Sequence, residues 1–171
     1  MNLKKLIFIA LMISSSIVLS ILESMFSTAL FIIPGVKLGL ANVITLIILY
    51  IYGYKEAFVV VILRIFLVAL VYSGIFNPTA LLSLSGGIFA YITMVFFKKI
   101  RIFSIISVSV AGAFMHMVGQ IIMAMIILDT PTLLYYLPYM ILISIPTGIF
   151  VGLASKKLVF VFENQLQEEK K

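Results

Sequence analysis

Apolar stretches of helix-forming length alternate along this chain with short clusters of Pro, Gly, Asn and basic residues, and this punctuation predicts six helices. The first runs from about Leu6 to Ile33 and stops at Pro34-Gly35; the second runs from Leu38 to Tyr52 and stops at Gly53. A third covers Ala57 to Ser73, and the turn Gly74-Ile75-Phe76-Asn77-Pro78 leads into a fourth, Thr79 to Phe97. After Lys98-Lys99-Ile100-Arg101, a fifth helix covers Ser104 to Leu128, and Asp129-Thr130-Pro131 turns the chain into a sixth, Leu133 to Ala154. The expected fold class is an all-α integral membrane bundle, with one six-helix transmembrane domain over residues 1–162 and a solvated, charged cytoplasmic tail over 163–171. Met1 to Lys5 followed by an apolar run resembles a secretory signal. The apolar character continues to Ile33, however, so the reading is a retained first helix.

The polar positions inside these stretches carry the functional information. Glu23, Asn42, Arg64, His116 and Gln120 all fall within segments expected to lie in hydrocarbon. Ionisable groups there cost several kcal/mol unless they face a protein interior or a water-filled cavity. At about 1.5 Å per residue, Arg64 sits near mid-depth, whereas Glu23, Asn42 and the run Ser83, Ser85, Gly86, Gly87 sit in the outer half. His116 and Gln120 are mid-depth and outward, and their spacing of four puts them on one helical face. A ligand pocket opening outward is the expectation. Each residue also has a plainer reading: Glu23 and Arg64 as a structural ion pair, His116 as a packed histidine, Asn42 and Gln120 as interhelical glue, and Gly86-Gly87 as close packing or a local break. Gly148 and Gly152 form a small-xxx-small face read as a packing device, and Ala10 and Ser14 offer a similar face on the first helix that could meet another subunit.

Composition agrees with the bilayer as solvent: of 171 residues, 64% are hydrophobic and 11% charged, with a mean hydropathy of +1.29. Lys4, Lys5, Lys55, Lys98, Lys99, Arg101, Lys156, Lys157, Lys170 and Lys171, ten of the twelve basic residues, fall on one side of a six-helix topology. The positive-inside rule makes that side cytoplasmic, with both termini inside; a bacterial cytoplasmic membrane is the expected location. The net charge of +6 is thereby a topological signal and not a nucleic-acid footprint. With no cysteine and one histidine, no metal site is expected.

Absent motifs narrow the chemistry further. No Gly-x-x-x-x-Gly-Lys-Ser/Thr loop occurs, and the sole aspartate, Asp129, lies in an expected outer turn, so neither P-loop ATP hydrolysis nor magnesium-dependent diphosphate chemistry has its residues here. No nucleophile, histidine and acid occur at hydrolase-like spacing. No catalytic residue and no cofactor is assigned.

Three blocks carry a family resemblance: Pro34-Gly35-Val36-Lys37-Leu38-Gly39-Leu40-Ala41-Asn42, Ser83-Leu84-Ser85-Gly86-Gly87, and Ser109 through Gln120 around His116. In order and spacing they resemble the Gx transporter family, often labelled heptaprenyl diphosphate synthase component I, itself similar to the substrate-binding S components of energy-coupling factor transporters. Glu23 and Arg64 also occupy positions where that family pattern carries charge, and Met117 departs from it where asparagine would follow the histidine. The resemblance implies an S-component-like six-helix bundle that binds a small metabolite in its outer half. It also implies docking through helix one, at Ala10 and Ser14, on a transmembrane coupling subunit driven by two ATPases. Glu23, Lys37, Asn42, Arg64, Ser85, Gly86, His116 and Gln120 are the candidate ligand-binding residues. Lys37 and Arg64 against Glu23 leave one surplus positive charge, which favours an anionic or zwitterionic ligand. The alternative function is a noncatalytic membrane subunit or anchor of polyprenyl diphosphate synthesis. Its apolar interior would handle an isoprenoid and its basic loop Lys98 to Arg101 would meet a soluble prenyl synthase.

Overall fold

The computed structural model describes residues 3–30 and 36–168, and among these every regular element is helical. Six α-helices follow one another: α1 (Leu3–Leu30), α2 (Asn42–Ile51), α3 (Tyr54–Val68), α4 (Pro78–Lys99), α5 (Ile105–Leu128) and α6 (Leu137–Glu168). A π-helical turn, Ala69–Ser73, extends α3, and a 3-10 turn, Pro131–Tyr136, precedes α6. Five of the helices, all but α2, are long and apolar enough to cross a membrane. The chain is thus an all-α membrane bundle.

The helix ends follow local chemistry. Asn77 caps α4 by accepting the Thr79 N–H, with Pro78 in the first turn where its missing donor costs nothing. Ser104 caps α5 by accepting the Ser107 N–H, and Asp129 ends that helix in a left-handed conformation, φ 46°. The third helix starts three residues earlier than expected, directly after Gly53, whose φ of 101° suits glycine. Residues 163–168, expected as a solvated tail, continue α6, which at 32 residues is about 48 Å long and outreaches the hydrocarbon layer.

The second helix departs most from expectation. It has 10 residues, about 15 Å, and is a short central element wrapped by the others. Leu46, Ile47 and Ile48 are completely buried, which explains why it is apolar on every side. They form the inner core with Ala57, Val60, Ala90, Met94 and Val108. Its carbonyl end receives Lys98, whose Nζ donates to the Leu49 carbonyl at 2.5 Å.

The chain ahead of α2, Val36 to Ala41, is not a surface turn. Val36, Lys37, Gly39 and Ala41 are buried, and Val36 packs with Met117, Ile121 and Met140. Non-helical backbone inside a membrane bundle must have its N–H and C=O groups satisfied by protein. The side chains that do so belong to the candidate site.

Glycines set the spacing of the outer helices. A Cβ at Gly148 would come 2.9 Å from Val110 Cα and one at Gly152 2.8 Å from Ile106 Cα, so the small-xxx-small face seats α6 against α5 within this chain.

Candidate functional site

Glu23 on α1 turns inward, 2% exposed, and its Oε1 accepts the backbone N–H groups of both Gly39 and Leu40, the latter at 3.0 Å. Gln120 on α5 is fully buried, and its Oε1 accepts the Lys37 N–H at 3.2 Å. Two side chains from helices on either side therefore hold the buried connection by its amides. Gly39 takes φ 88°, and a Cβ there would lie 2.9 Å from Asn42 Nδ2 and 3.3 Å from His116 Cδ2, so the loop passes too close to α2 and α5 for any larger residue.

The loop places Lys37 over a small, partly open cavity of about 20 Å³, lined by Glu23, Lys37, Arg64 and His116 together with Ser20, Ser73 and Ser83. That volume is about enough for one water molecule. Arg64 reaches it from α3, 4% exposed, and its Nη2 donates to Asn42 Oδ1 at 3.4 Å. Gly87 on α4 lets that helix pack closely on α3, since a Cβ there would stand 2.9 Å from Ile65 Cδ1, with Arg64 Nη2 in ordinary contact at 3.6 Å. His116 meets the cavity from α5 and shares a hydrogen bond with Gln120, Nε2 to Nε2 at 3.1 Å. Burial lowers the pKa of the Lys37 ammonium from its ordinary value, the Glu23 carboxylate partly offsets that, and Arg64 adds to it.

Of the candidate ligand-binding residues, Glu23, Lys37, Arg64 and His116 line the cavity. Asn42 and Gln120 brace the lining residues from behind through their bonds to Arg64, Lys37 and His116. Ser85 and Gly86 lie elsewhere: the Ser85 hydroxyl donates to the Gly119 carbonyl at 2.7 Å, and a Cβ on Gly86 would fall 2.8 Å from Gln120 Cγ. Helix α4 runs unbroken through Gly86-Gly87, so these glycines allow close packing and expose no free backbone to the cavity. Glu23 and Arg64 form no direct ion pair; the pair seen among the described residues is Lys5–Glu56 at 2.5 Å, tying α1 to α3 at the opposite end. Ala10 and Ser14 lie on the exposed face of α1, away from the cavity. Met117 points away from the cavity into an apolar cluster with Val36, Ile121 and Met140.

Reading the sequence alone missed Ser20 and Ser73 as lining residues and missed the burial of residues 36–41.

A second cavity, about 240 Å³, lies at the other end of the bundle between α1 and α3, lined by Leu6, Ile9, Lys55, Glu56 and Val59. Its lining combines three apolar residues with Lys55 and Glu56.

No curated protein and no solved structure matches the chain. The family model described as heptaprenyl diphosphate synthase component I matches residues 12–158, from the first helix to the last and including every residue of the cavity, and the chain belongs to that family.

Proposed function

We propose that this membrane protein is the substrate-binding component of an ATP-driven importer of the energy-coupling factor type, taking up a small metabolite across a bacterial cytoplasmic membrane. The observation that carries this reading is the buried cluster of Glu23, Lys37, Arg64 and His116 around one cavity, contributed by three helices and a buried loop. Four ionisable side chains in a membrane interior are costly to retain for packing alone. The cavity lies beside the α1–α2 connection, at the end opposite the basic loops, where an imported ligand arrives. Its small volume means that any ligand larger than a single small group requires the loop to yield on binding. The exposed small residues Ala10 and Ser14 would seat a coupling subunit on α1, with two ATPases beneath it.

A second reading is favoured by the family description itself, which names a component of heptaprenyl diphosphate synthase. In this reading the chain is a noncatalytic membrane anchor, the exposed Ile100 to Phe103 segment with Arg101 meets a soluble prenyl synthase, and the apolar cavity between α1 and α3 accepts the growing isoprenoid.

Isolation from native membranes in mild detergent, followed by mass spectrometry of what co-purifies, separates the two. A transmembrane coupling subunit with ATPases is the expected result. A soluble prenyl synthase in their place would replace the importer reading with the anchor reading.

A further inference from the structure

The cavity's charges are not symmetrically used. Glu23 commits its Oε1 to two backbone N–H groups, of Gly39 and Leu40, and so acts as a clasp on the loop. Lys37 is 7% exposed and lines the cavity, yet its ammonium makes no hydrogen bond or ion pair with any described residue. Arg64, with five N–H donors available to a guanidinium, spends one on a 3.4 Å bond to Asn42. Buried cations are normally paired, because an isolated charge in a low-dielectric interior is strongly disfavoured. Two cations of different geometry thus face one space the size of a single oxygen-bearing group, and the one carboxylate beside them, Glu23, with its Oε1 held by the loop amides, leaves one positive charge in surplus.

The geometry points to an oxyanion-recognition site in which Lys37 and Arg64 together grip one carboxylate or phosphate group of the ligand, while Glu23 positions the loop through its Oε1. This inference rests on the cavity being the ligand site of the proposed importer. It adds the class of ligand: a small metabolite bearing at least one anionic oxygen group. Arg64 supplies the planar fork suited to two oxygens and Lys37 a compact point charge. One ligand oxygen fills the present space. The rest of the ligand needs the loop held by Glu23 and Gln120 to move, so binding and loop opening are coupled. Ser20 and Ser83 stand at the wall, and the Ser83 hydroxyl, which donates to the Thr79 carbonyl at 2.8 Å, can still accept from a polar group of the ligand.

The test is thermal unfolding of the detergent-purified chain, followed by circular dichroism, in acetate, phosphate, methylammonium chloride or potassium chloride at matched ionic strength. Acetate or phosphate at tenfold over its dissociation constant should raise the midpoint by about 3–6 °C above chloride, and methylammonium should not. Lys37→Gln should abolish that rise, and Lys37→Arg, which keeps the charge, should retain it. A response to phosphate alone assigns a phosphate-bearing ligand, a response to acetate alone a carboxylate, and a response to both supports the oxyanion grip for either group. No shift beyond chloride, a shift surviving in Lys37→Gln, or an equal shift from methylammonium would overturn the proposal. Should Lys37→Gln fail to fold, loss of the anion response in Arg64→Lys with its midpoint in chloride intact supports the grip, and an unchanged response refutes it. Because these readouts need no partner, they stand apart from the co-purification that decides the importer reading.

Discussion

Gln120 on α5 accepts the backbone N–H of Lys37 at 3.2 Å, across 83 positions of sequence. A side chain that does not line the cavity thereby fixes the residue that brings a cation to it. The same amide group bonds His116 at 3.1 Å, so one glutamine sets both the loop and the histidine. Replacing it with leucine keeps the volume and removes the acceptor, stranding a buried N–H at a cost of about 1–3 kcal/mol. Gln120→Leu should lower the unfolding midpoint in detergent by several degrees and weaken ligand uptake, whereas Gln120→Glu, which keeps the acceptor, should stay closer to the parent in midpoint. Equal midpoints for Gln120→Leu and the parent would show that the loop is held without this bond.

Glu23 gives a sharper contrast, because its two roles respond differently to glutamine. As an acceptor for Gly39 and Leu40 it is partly replaced by an amide oxygen; as a partner for charge it is not. Hydrogen bonds to a charged group are worth about 1.5–3 kcal/mol and neutral ones about 0.5–1.5. Glu23→Gln should therefore retain roughly half of the stability that Glu23→Ala loses. If both variants fall equally, the carboxylate acts through its charge on Lys37 and Arg64, and the clasp is not its main role.

How far this arrangement could be read from the sequence differs between residues. Glu23, Arg64 and His116 were legible because ionisable side chains inside apolar runs are conspicuous, and their common height follows from counting residues along helices. The burial of Lys37 was not, because Pro34-Gly35 reads as an ordinary outer turn and nothing local distinguishes a loop that reaches the surface from one that folds inward. That outcome depends on acceptors 16 and 83 positions away, at Glu23 and Gln120. Ser85 looked like a ligand contact for the converse reason: a serine in the outer half of a helix has the same pattern whether its hydroxyl faces a cavity or, as here, the Gly119 carbonyl.

Two glycines should fail for unrelated reasons. At Gly86 the backbone is ordinary helix, but a methyl group would sit 2.8 Å from Gln120 Cγ and 2.9 Å from His116 Cε1. Gly86→Ala should cost about 1–3 kcal/mol through overpacking and displace the histidine, reducing uptake with it. At Gly53 nothing lies within 4 Å of an added Cβ, but φ is 101°. Gly53→Ala should cost about 1–3 kcal/mol through backbone strain alone and leave uptake by the folded fraction unchanged. Loss of uptake per folded molecule in Gly53→Ala would mean that the α2–α3 junction influences the distant cavity.

Topology can be tested without background, since the chain has no cysteine. Phe76, between α3 and α4, is 95% exposed and Ile102, between α4 and α5, is 86% exposed. With the basic loops inside, a membrane-impermeant maleimide should label Phe76→Cys in intact cells and Ile102→Cys only after permeabilisation. The reverse pattern would turn the cavity to the cytoplasmic side and remove the argument for an importer.

The exposed face of α1 decides between partners. The Ser14 hydroxyl donates to its own helix, to the Ala10 carbonyl at 3.0 Å, so this face presents a shallow, internally satisfied surface on which another helix can approach closely. Leucine at both Ala10 and Ser14 adds bulk only outside the bundle, because both positions are exposed, and the midpoint should change by no more than about 1 °C. Co-purification of a coupling subunit should nevertheless be lost, and uptake with it, while anion binding by the isolated protein persists. If the doubly substituted protein keeps its partners but a charge reversal at Lys99 and Arg101 releases them, association runs through the inner loop. That result fits a soluble synthase better than a membrane coupling subunit, because a loop beyond the last turn of α4 is reached from the aqueous side and not from within the bilayer.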